Sequence, residues 1–200
     1  MNDTKEIQEQ RMRRYFIEAT KDLLRAEGLR SVSVRKVAER AGYSYATMYH
    51  YFNNVQDLVF ESVADFSAEI DGFVANRTAD LAPGCETLRA IYTATVAYFV
   101  QYPGIFELFY LERGVSVSRR SEAMELIRSL LDRQTRDMWA ACVAQGVFSE
   151  KDAGIRARQL NYALLGAMLL YMNRRHPQEY GEFNAIIDEQ LDYGLKEYPV

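Results

Sequence analysis

The chain has 200 residues and a formal net charge of −4, with 48% hydrophobic and 26% charged residues. This composition excludes an intrinsically disordered chain and predicts a globular protein with a sizeable core. The longest apolar run, Tyr162 to Met172, is shorter than the roughly 20 residues that cross a bilayer, and the charged N-terminus does not resemble a signal peptide, so we expect a cytoplasmic protein.

The first predicted element is a helix. Apolar residues recur at helical spacing from near Met12 to Leu24, and Gly28 supplies a C-terminal stop. A second helix is predicted from Val34, with Ser33 as its N-cap and Gly42 at its end. The alternation of apolar and polar residues that marks strands is hard to find, so an all-α fold is expected.

Two more helices follow the second without a long loop. Ser44 is placed to cap a third helix over Tyr45 to Phe52, and Asn53 or Asn54 to cap a fourth that continues through Phe66. The stretch from the second helix to the third is typical of a helix-turn-helix, in which the later helix is available to enter a DNA groove.

The third helix has two different faces. At about 100° per residue, Met48 and Phe52 point inward, while Ala46, Thr47 and His50 point outward. Small side chains and hydroxyls suit close contact with base edges and phosphates. The alternative is a plain helical subdomain whose tyrosines are half-buried with hydrated hydroxyls, because the same geometry also arises from ordinary helix packing.

Charge is unevenly distributed along the chain. Residues 1–55 hold ten Lys/Arg and seven Asp/Glu, a net +3, whereas residues 56–200 hold fourteen and twenty-one, a net −7. The difference in net charge indicates that the two parts have different functions, although the positive excess of +3 in residues 1–55 is modest.

The run from Val34 to Val59 resembles the N-terminal DNA-binding domain of the tetracycline-repressor (TetR) family of bacterial transcriptional regulators. The resemblance covers roughly the first 60 residues and is carried by many positions at fixed offsets. They are Val37-Ala38, Ala41-Gly42, Ser44, Tyr49, Tyr51-Phe52 and Leu58, together with the first helix from Phe16.

This resemblance implies a DNA-binding domain in residues 1–55, with 1–10 as a flexible arm, joined through the fourth helix to a helical effector-binding and dimerisation domain in 56–200. It implies a sequence-specific regulator, most commonly a repressor released from a palindromic operator by a small organic effector. The side chains placed at the DNA are Ser33, Arg35, Ser44, Tyr45, Ala46, Thr47, Tyr49, His50, Tyr51 and Asn54.

One position departs from the family pattern. Where the family usually has a lysine at the start of the fourth helix, this chain has Val55, and His50 is the only titratable base between Arg40 and Arg77. Phosphate contacts are then expected from the N-terminus of the fourth helix, the tyrosine hydroxyls and the arginines of the first helix, Arg11, Arg13 and Arg14.

The resemblance also implies a homodimer formed by the last two helices. The small residues Ala163, Gly166 and Ala167 would allow close packing, and the stripe of Phe183, Ile187 and Leu191 offers a second apolar face, so the two could form an intersubunit four-helix bundle. The alternative is that these residues form a core within one chain.

An effector pocket is expected among the aromatic residues of the later helices. The candidates are Tyr92, Phe99, Tyr102, Phe106, Phe109, Tyr110, Met138, Trp139 and Cys142. The alternative for most of them is ordinary core, because an aromatic stripe at helical spacing is usually structural.

No catalytic motif, metal-ligand cluster or cofactor-binding loop is visible, and Cys85 and Cys142 belong to no cluster, so we expect neither an enzyme nor a metal or cofactor site. Two other functions stay open. One is a helical interaction protein of the same fold that has lost DNA binding, which the missing basic residue at Val55 favours. A helical enzyme is the other.

Overall fold

The computed structural model describes residues 2–111 and 120–196, without the side chains of residues 2–4, 120 and 121. These ranges contain α-helices and no strand, which confirms the predicted all-α fold. The helices are α1 Asn2–Glu27, α2 Val34–Ala41, α3 Tyr45–Tyr49, α4 Val55–Thr78, α5 Cys85–Gln101, α6 Pro103–Phe106, α7 Arg120–Ala144, α8 Glu150–Met172 and α9 Tyr180–Leu195. A 3-10 turn at Leu29–Ser31 follows α1, and a π-helical turn at Glu107–Leu111 follows α6.

Helix α1 begins earlier than the sequence analysis expected. The structure continues it back to Asn2, so residues 2–10 are helical where a flexible arm was predicted. The physical reason is local. These residues include Lys5, Glu6, Gln8, Glu9 and Gln10, which have high helix propensity and extend a helix without needing an apolar stripe.

The predicted helix caps are confirmed. Ser33 accepts a hydrogen bond from the backbone N–H of Lys36, and Gly42 ends α2 in the left-handed conformation, with φ 76°. Helix α3 is shorter than predicted, because the regular hydrogen bonds give way to a turn after Tyr49.

The chain forms two compact units. The first comprises the N-terminal residues through Glu69 together with Tyr102–Arg128, and the second comprises Ile70–Gln101 with the residues from Ser129 onward. The domain boundary predicted after residue 55 concerns function, and it stays a prediction.

Residues after Tyr102 join the first unit through a close backbone contact. Gly104, near the start of α6, lies so close to the end of α1 that an added Cβ would be 2.2 Å from the Leu24 carbonyl oxygen and 2.7 Å from the Gly28 Cα. Only glycine fits here without a shift of the main chain. The contact places α6 against α1.

A series of ion pairs joins α1 to the first half of α4. Arg13 pairs with Glu61, and Arg25 pairs with Glu69. Between them Lys21, whose side chain is 5% exposed, lies 2.7 Å from Glu69 and 3.2 Å from Asp65. We call these contacts the α1–α4 ion-pair ladder. The ladder accounts for the acidic face of α4, because its carboxylates are partners for basic residues of α1.

In the second unit, α8 and α9 pack against each other along one side. Gly194 of α9 lies against Leu160 of α8, so closely that a Cβ there would be 2.6 Å from the leucine side chain. Arg156 donates to the carbonyl oxygen of Gly194 at 2.9 Å. Within the described ranges, no helix is long and apolar enough to cross a membrane.

The predicted dimer face on α9 requires a correction. Phe183, Ile187 and Leu191 are buried inside the chain, and Phe183 stacks on Tyr171 with ring centroids 4.3 Å apart. Side chains that are buried in the core of one chain cannot also contact a second copy. The alternative of an intrachain core is therefore the right one for this stripe.

Candidate nucleic-acid interface

Helix α3 is held in place by its N-cap and by its inward side chains. Ser44 accepts a hydrogen bond from the backbone N–H of Thr47 at 3.1 Å. Met48 and, just beyond the helix, Phe52 are buried in a core that they share with Phe16 and Leu58. Both were predicted to point inward, and this orientation is confirmed.

The aromatic residues around α3 divide into two groups. Tyr43 and Tyr51 pack around Phe16, with ring centroids 5.7 and 6.2 Å from its own. Tyr45 and Tyr49 are instead 66% and 53% exposed. Tyr43 is itself 40% exposed, so burial accounts for little of this tyrosine cluster. Tyr45 and Tyr49 lie in solvent on the helix that is predicted to contact DNA.

The outward face of α3 is polar and carries no Asp, Glu, Lys or Arg side chain. Ala46 and His50 are exposed beside the two tyrosines, and Thr47 is half-buried. The hydroxyls of Ser44 and Thr47 lie 2.9 Å apart, so each orients the other. This surface offers hydroxyl donors and acceptors at the start of a helix with little steric bulk, which suits the major groove.

Tyr51 is held differently from the other predicted DNA contacts. Its backbone carbonyl oxygen accepts a hydrogen bond from Arg13 at 2.5 Å, and the guanidinium of Arg13 also lies over the Phe52 ring, 4.4 Å from its centroid. Arg13 thus fixes the end of the α3 turn and pairs with Glu61. Because these contacts occupy it, Arg13 is a positioning residue for the interface.

The remaining predicted contacts lie at the ends of two helices. Ser33 is exposed at the N-terminus of α2, next to Arg35. Arg35 is also exposed and makes no hydrogen bond or ion pair with the described part of the chain. Asn54 caps α4, accepting from the N–H of Asp57 at 2.8 Å, so this helix end already has an internal acceptor.

Several positions that could carry positive charge to phosphates are committed to the core or to ion pairs. Val55 packs against the core of the first unit, so the position that is usually basic in the resembling family contributes apolar contact here. Lys21 and Arg25 belong to the α1–α4 ion-pair ladder. Arg11, Arg14 and Arg35 remain exposed, and of these only Arg14 approaches a carboxylate, Glu18 at 3.6 Å.

The nine predicted effector-pocket residues are divided between the two units. Tyr102, Phe106, Phe109 and Tyr110 belong to the first unit, and Tyr92, Phe99, Met138, Trp139 and Cys142 belong to the second. Their assignment to one pocket stays a prediction.

Two of these residues form a polar chain inside the second unit. The Trp139 indole donates to the Tyr92 hydroxyl at 3.3 Å, and that hydroxyl donates to Asn161 at 3.2 Å. Burial raises the pKa of Tyr92, against the opposing effect of its hydrogen bonds with Trp139 and Thr135. Trp139 also lines a groove of about 630 Å³ between α7 and α8, together with Thr135 and Ala153.

Sequence reasoning missed the apolar residues that α8 exposes. Ile155, Tyr162, Leu169 and Leu170 are all exposed, and Tyr162 is 74% exposed. They lie opposite the buried Leu160, Leu164 and Met168. The available signal was the spacing of Ile155, Tyr162 and Leu169, which are seven residues apart.

Comparisons with known proteins agree with this geometry. Residues 16–61 match the family model described as bacterial regulatory proteins, tetR family. The HTH-type transcriptional regulator BetI of Klebsiella pneumoniae is 30% identical over 77 residues, which are 38% of this chain and 40% of that protein. The similarity therefore spans less than half the length of that relative.

Solved structures share the fold over nearly the whole chain. AibR, in complex with isovaleryl coenzyme A and operator DNA, has a TM-score of 0.66 at 17% identity and covers 94% of this chain and 100% of its own. The transcriptional regulator FadR from Bacillus subtilis, in complex with stearoyl-CoA, has a TM-score of 0.71 at 16% identity and covers 92% and 98%.

Proposed function

We propose that the chain is a sequence-specific DNA-binding transcriptional regulator of the TetR family, controlled by a small organic effector. The match of residues 16–61 to the family model supports this proposal. The observation that carries the proposal is the outward face of α3, which presents Ser44, Tyr45, Thr47 and Tyr49. The N-terminus of this helix is capped, and its inward residue Met48 is buried. Direct reading of base edges needs such a helix in the major groove.

The predicted contacts have separate roles in this proposal. Ala46 and Thr47 are the side chains that face base edges, because they combine small size with one hydroxyl. Tyr45, Tyr49 and Ser33 supply donors to phosphates, and Arg35 adds the charge. Tyr51 contacts DNA only through the part of its ring that the Phe16 core leaves uncovered.

A homodimer follows from the need to contact two half-sites of a palindromic operator. We place its interface on the exposed apolar face of α8, defined by Ile155, Tyr162, Gly166, Leu169 and Leu170. Gly166 supports this choice because open space lies beyond the position of its missing side chain, so another helix can approach there. Ala163 and Ala167, which are half-buried, flank the same face.

The effector is a small organic molecule in this proposal, and repression is released when it binds. Support comes from AibR and FadR, proteins of the same fold that hold isovaleryl-CoA and stearoyl-CoA. The ligand acts by stabilising one of two conformations that differ in DNA affinity. Helix α4, which like α7 contributes residues to both units, is the element through which we propose that the change reaches α3.

A second function keeps one specific observation in its favour. The α1–α4 ion-pair ladder engages Arg13, Lys21 and Arg25, and Val55 replaces the basic residue usual in the family, which suits an interaction protein that no longer binds DNA. Selection of bound duplexes from genomic fragments separates the two. Enrichment of a two-fold symmetric sequence establishes the regulator, and absence of enrichment from the folded protein at low salt favours the interaction protein.

Truncation of the α3 side chains is the direct test of the interface. We expect Thr47→Ala and Tyr49→Phe each to weaken binding of the selected duplex by about 1–3 kcal/mol, because each removes a hydroxyl from a base edge or a phosphate. Fluorescence anisotropy with a labelled duplex measures the change. Tyr180→Phe is a matched control, since Tyr180 is 52% exposed but lies on α9. Unchanged affinity in both α3 variants contradicts the assigned surface.

The salt dependence of DNA affinity tests how many ion pairs the protein makes with phosphates. We expect the slope of log K against log salt for the dimer to be no steeper than about −5, equivalent to about three phosphate contacts per protomer. Arg35→Gln is expected to make the slope shallower by about 1 per protomer, because Arg35 is exposed and makes no ion pair with the described residues. A slope near −10 in the wild type would show that phosphate ion pairs dominate after all.

A further inference from the structure

The two cysteines of the chain lie side by side in the second unit. Cys85 is the first residue of α5, and Cys142 is in the last turn of α7, 57 positions later. Their Sγ atoms are 3.1 Å apart. Since an S–S bond is about 2.05 Å long, an approach of about 1 Å would bring the two sulfur atoms to bonding distance.

The main chain around the pair is held on both sides. Gln145, three residues after Cys142, donates its side-chain amide to the carbonyl oxygen of Pro83 at 2.9 Å. Thr87 donates to the carbonyl oxygen of Ala82 at 2.5 Å, which ties the first turn of α5 to the preceding turn. These bonds keep the start of α5 against the end of α7, so the proximity of the sulfur atoms does not depend on side-chain rotamers alone.

The two thiols differ in access to solvent. Cys85 is partly exposed, whereas Cys142 is completely buried. A small oxidant in solution therefore reaches Cys85 first, and Cys142 is placed to react with the product. This is the arrangement of an attacked cysteine with a resolving cysteine beside it.

We propose that Cys85 and Cys142 form a redox modification site, which hydrogen peroxide converts to an intramolecular disulfide. The Cys85 thiol attacks the peroxide, the O–O bond breaks, and Cys85 becomes a sulfenic acid with release of water. The Cys142 thiol then attacks the sulfenic sulfur, the S–S bond forms, and a second water leaves. In sum, two thiols are oxidised and one hydrogen peroxide is reduced to two water molecules.

This site goes beyond the proposed regulatory function and does not depend on it. The disulfide joins α5 to α7 covalently in the unit that holds the predicted effector-binding residues Tyr92 and Trp139. It closes a loop of 57 positions, and long loops gain the most from such a constraint in the chain-entropy model. Oxidation should therefore raise the Tm of this unit by roughly 5–10 °C.

The test uses the full chain, reduced and then treated with hydrogen peroxide at a dilute protein concentration. We expect both thiols to disappear together in an assay with Ellman's reagent under denaturing conditions, and the intact mass to fall by about 2 Da. Dithiothreitol should restore both. A mass increase by whole oxygen atoms, a disulfide between two chains, or two thiols that persist would each overturn the proposal.

Two single variants separate the roles of the cysteines. In Cys142→Ser, Cys85 should stop at the sulfenic acid, which dimedone traps as an adduct. In Cys85→Ser, the buried Cys142 should remain a thiol under the same treatment. Circular dichroism of both reduced variants confirms that they are folded. Because no measurement involves DNA, failure of the redox site and failure of the proposed regulator are distinguishable.

Discussion

Tyr162→Glu is expected to convert the proposed dimer to a monomer and to weaken binding to a palindromic operator by roughly 10²–10⁴-fold, the gain that linking two binding modules provides. Tyr162 is 74% exposed in the single chain, at the centre of the exposed apolar face of α8. A glutamate there costs the isolated chain little. In a dimer, it would place an unpaired carboxylate in the interface.

Sedimentation velocity and anisotropy with the selected duplex measure the two effects. Met124→Glu is the matched control, because Met124 is 42% exposed and apolar but lies on α7. The variant should stay dimeric. If Tyr162→Glu remains a dimer of unchanged affinity, the interface does not lie on this face of α8.

Lys21→Met is expected to lower the free energy of unfolding by about 2–4 kcal/mol at neutral pH. The ammonium of Lys21 is nearly buried and lies within 3.3 Å of Glu18, Asp65 and Glu69. Methionine replaces the stem but not the charge, so the carboxylates lose their shared partner and repel one another. Removing one partner of a buried ion pair costs about 3–5 kcal/mol, and the partial exposure of the carboxylates reduces that figure.

The size of this effect should depend on pH in a defined direction. Burial by itself would raise the pKa of Glu69, but hydrogen bonds from Arg25 and Lys21 outweigh it, so the pKa is lowered. A lowered pKa contributes stability above the carboxyl's ordinary value near 4.5, and that stability is lost as pH falls through the folded-state value. The difference between wild type and Lys21→Met should therefore shrink below about pH 4.

The titration of Lys21 sets the upper pH limit of this stabilisation. Burial alone would lower the pKa of Lys21, but its hydrogen bonds with Glu69 and Asp65 raise it above its ordinary 10.5. The associated stability is fully present below the ordinary value and is lost as pH rises through the raised one. Urea denaturation across this pH range measures both limits.

Lys36→Met provides the control for the ladder. Lys36 lies 2.6 Å from Glu27, a distance close to that between Lys21 and Glu69, but both partners are exposed. Exposed pairs contribute about 0–1 kcal/mol because water and salt screen them. Equal losses in the two variants would mean that the ladder contributes no more than an ordinary surface ion pair.

The α1–α4 ion-pair ladder shows why the acidic fourth helix was difficult to interpret. In the sequence, Glu61, Asp65 and Glu69 weaken the case for a nucleic-acid interface, since they oppose phosphate. In the structure, basic side chains of α1 occupy them. The same contacts engage Arg13, which the sequence had placed at phosphates, and Lys21.

The sequence by itself determined the caps of the short helices and the inward face of α3 within the first 60 residues. Ser33, Ser44 and Gly42 were assigned as caps or stops from residue type and position, and each is confirmed. The inward face of α3 was found from helical spacing alone. These features depend on hydrogen bonds and side-chain neighbours three or four residues apart, so the information lies within a short window of sequence.

Only the tertiary structure decided which distant residues meet. Lys21 and Asp65 are 44 positions apart, and Cys85 and Cys142 are 57 apart. Phe183 could have faced a second copy or the core of its own chain, and packing on Tyr171 selected the core. Helical periodicity identifies an apolar face but not its partner, because that choice depends on the packing of helices far apart in the chain.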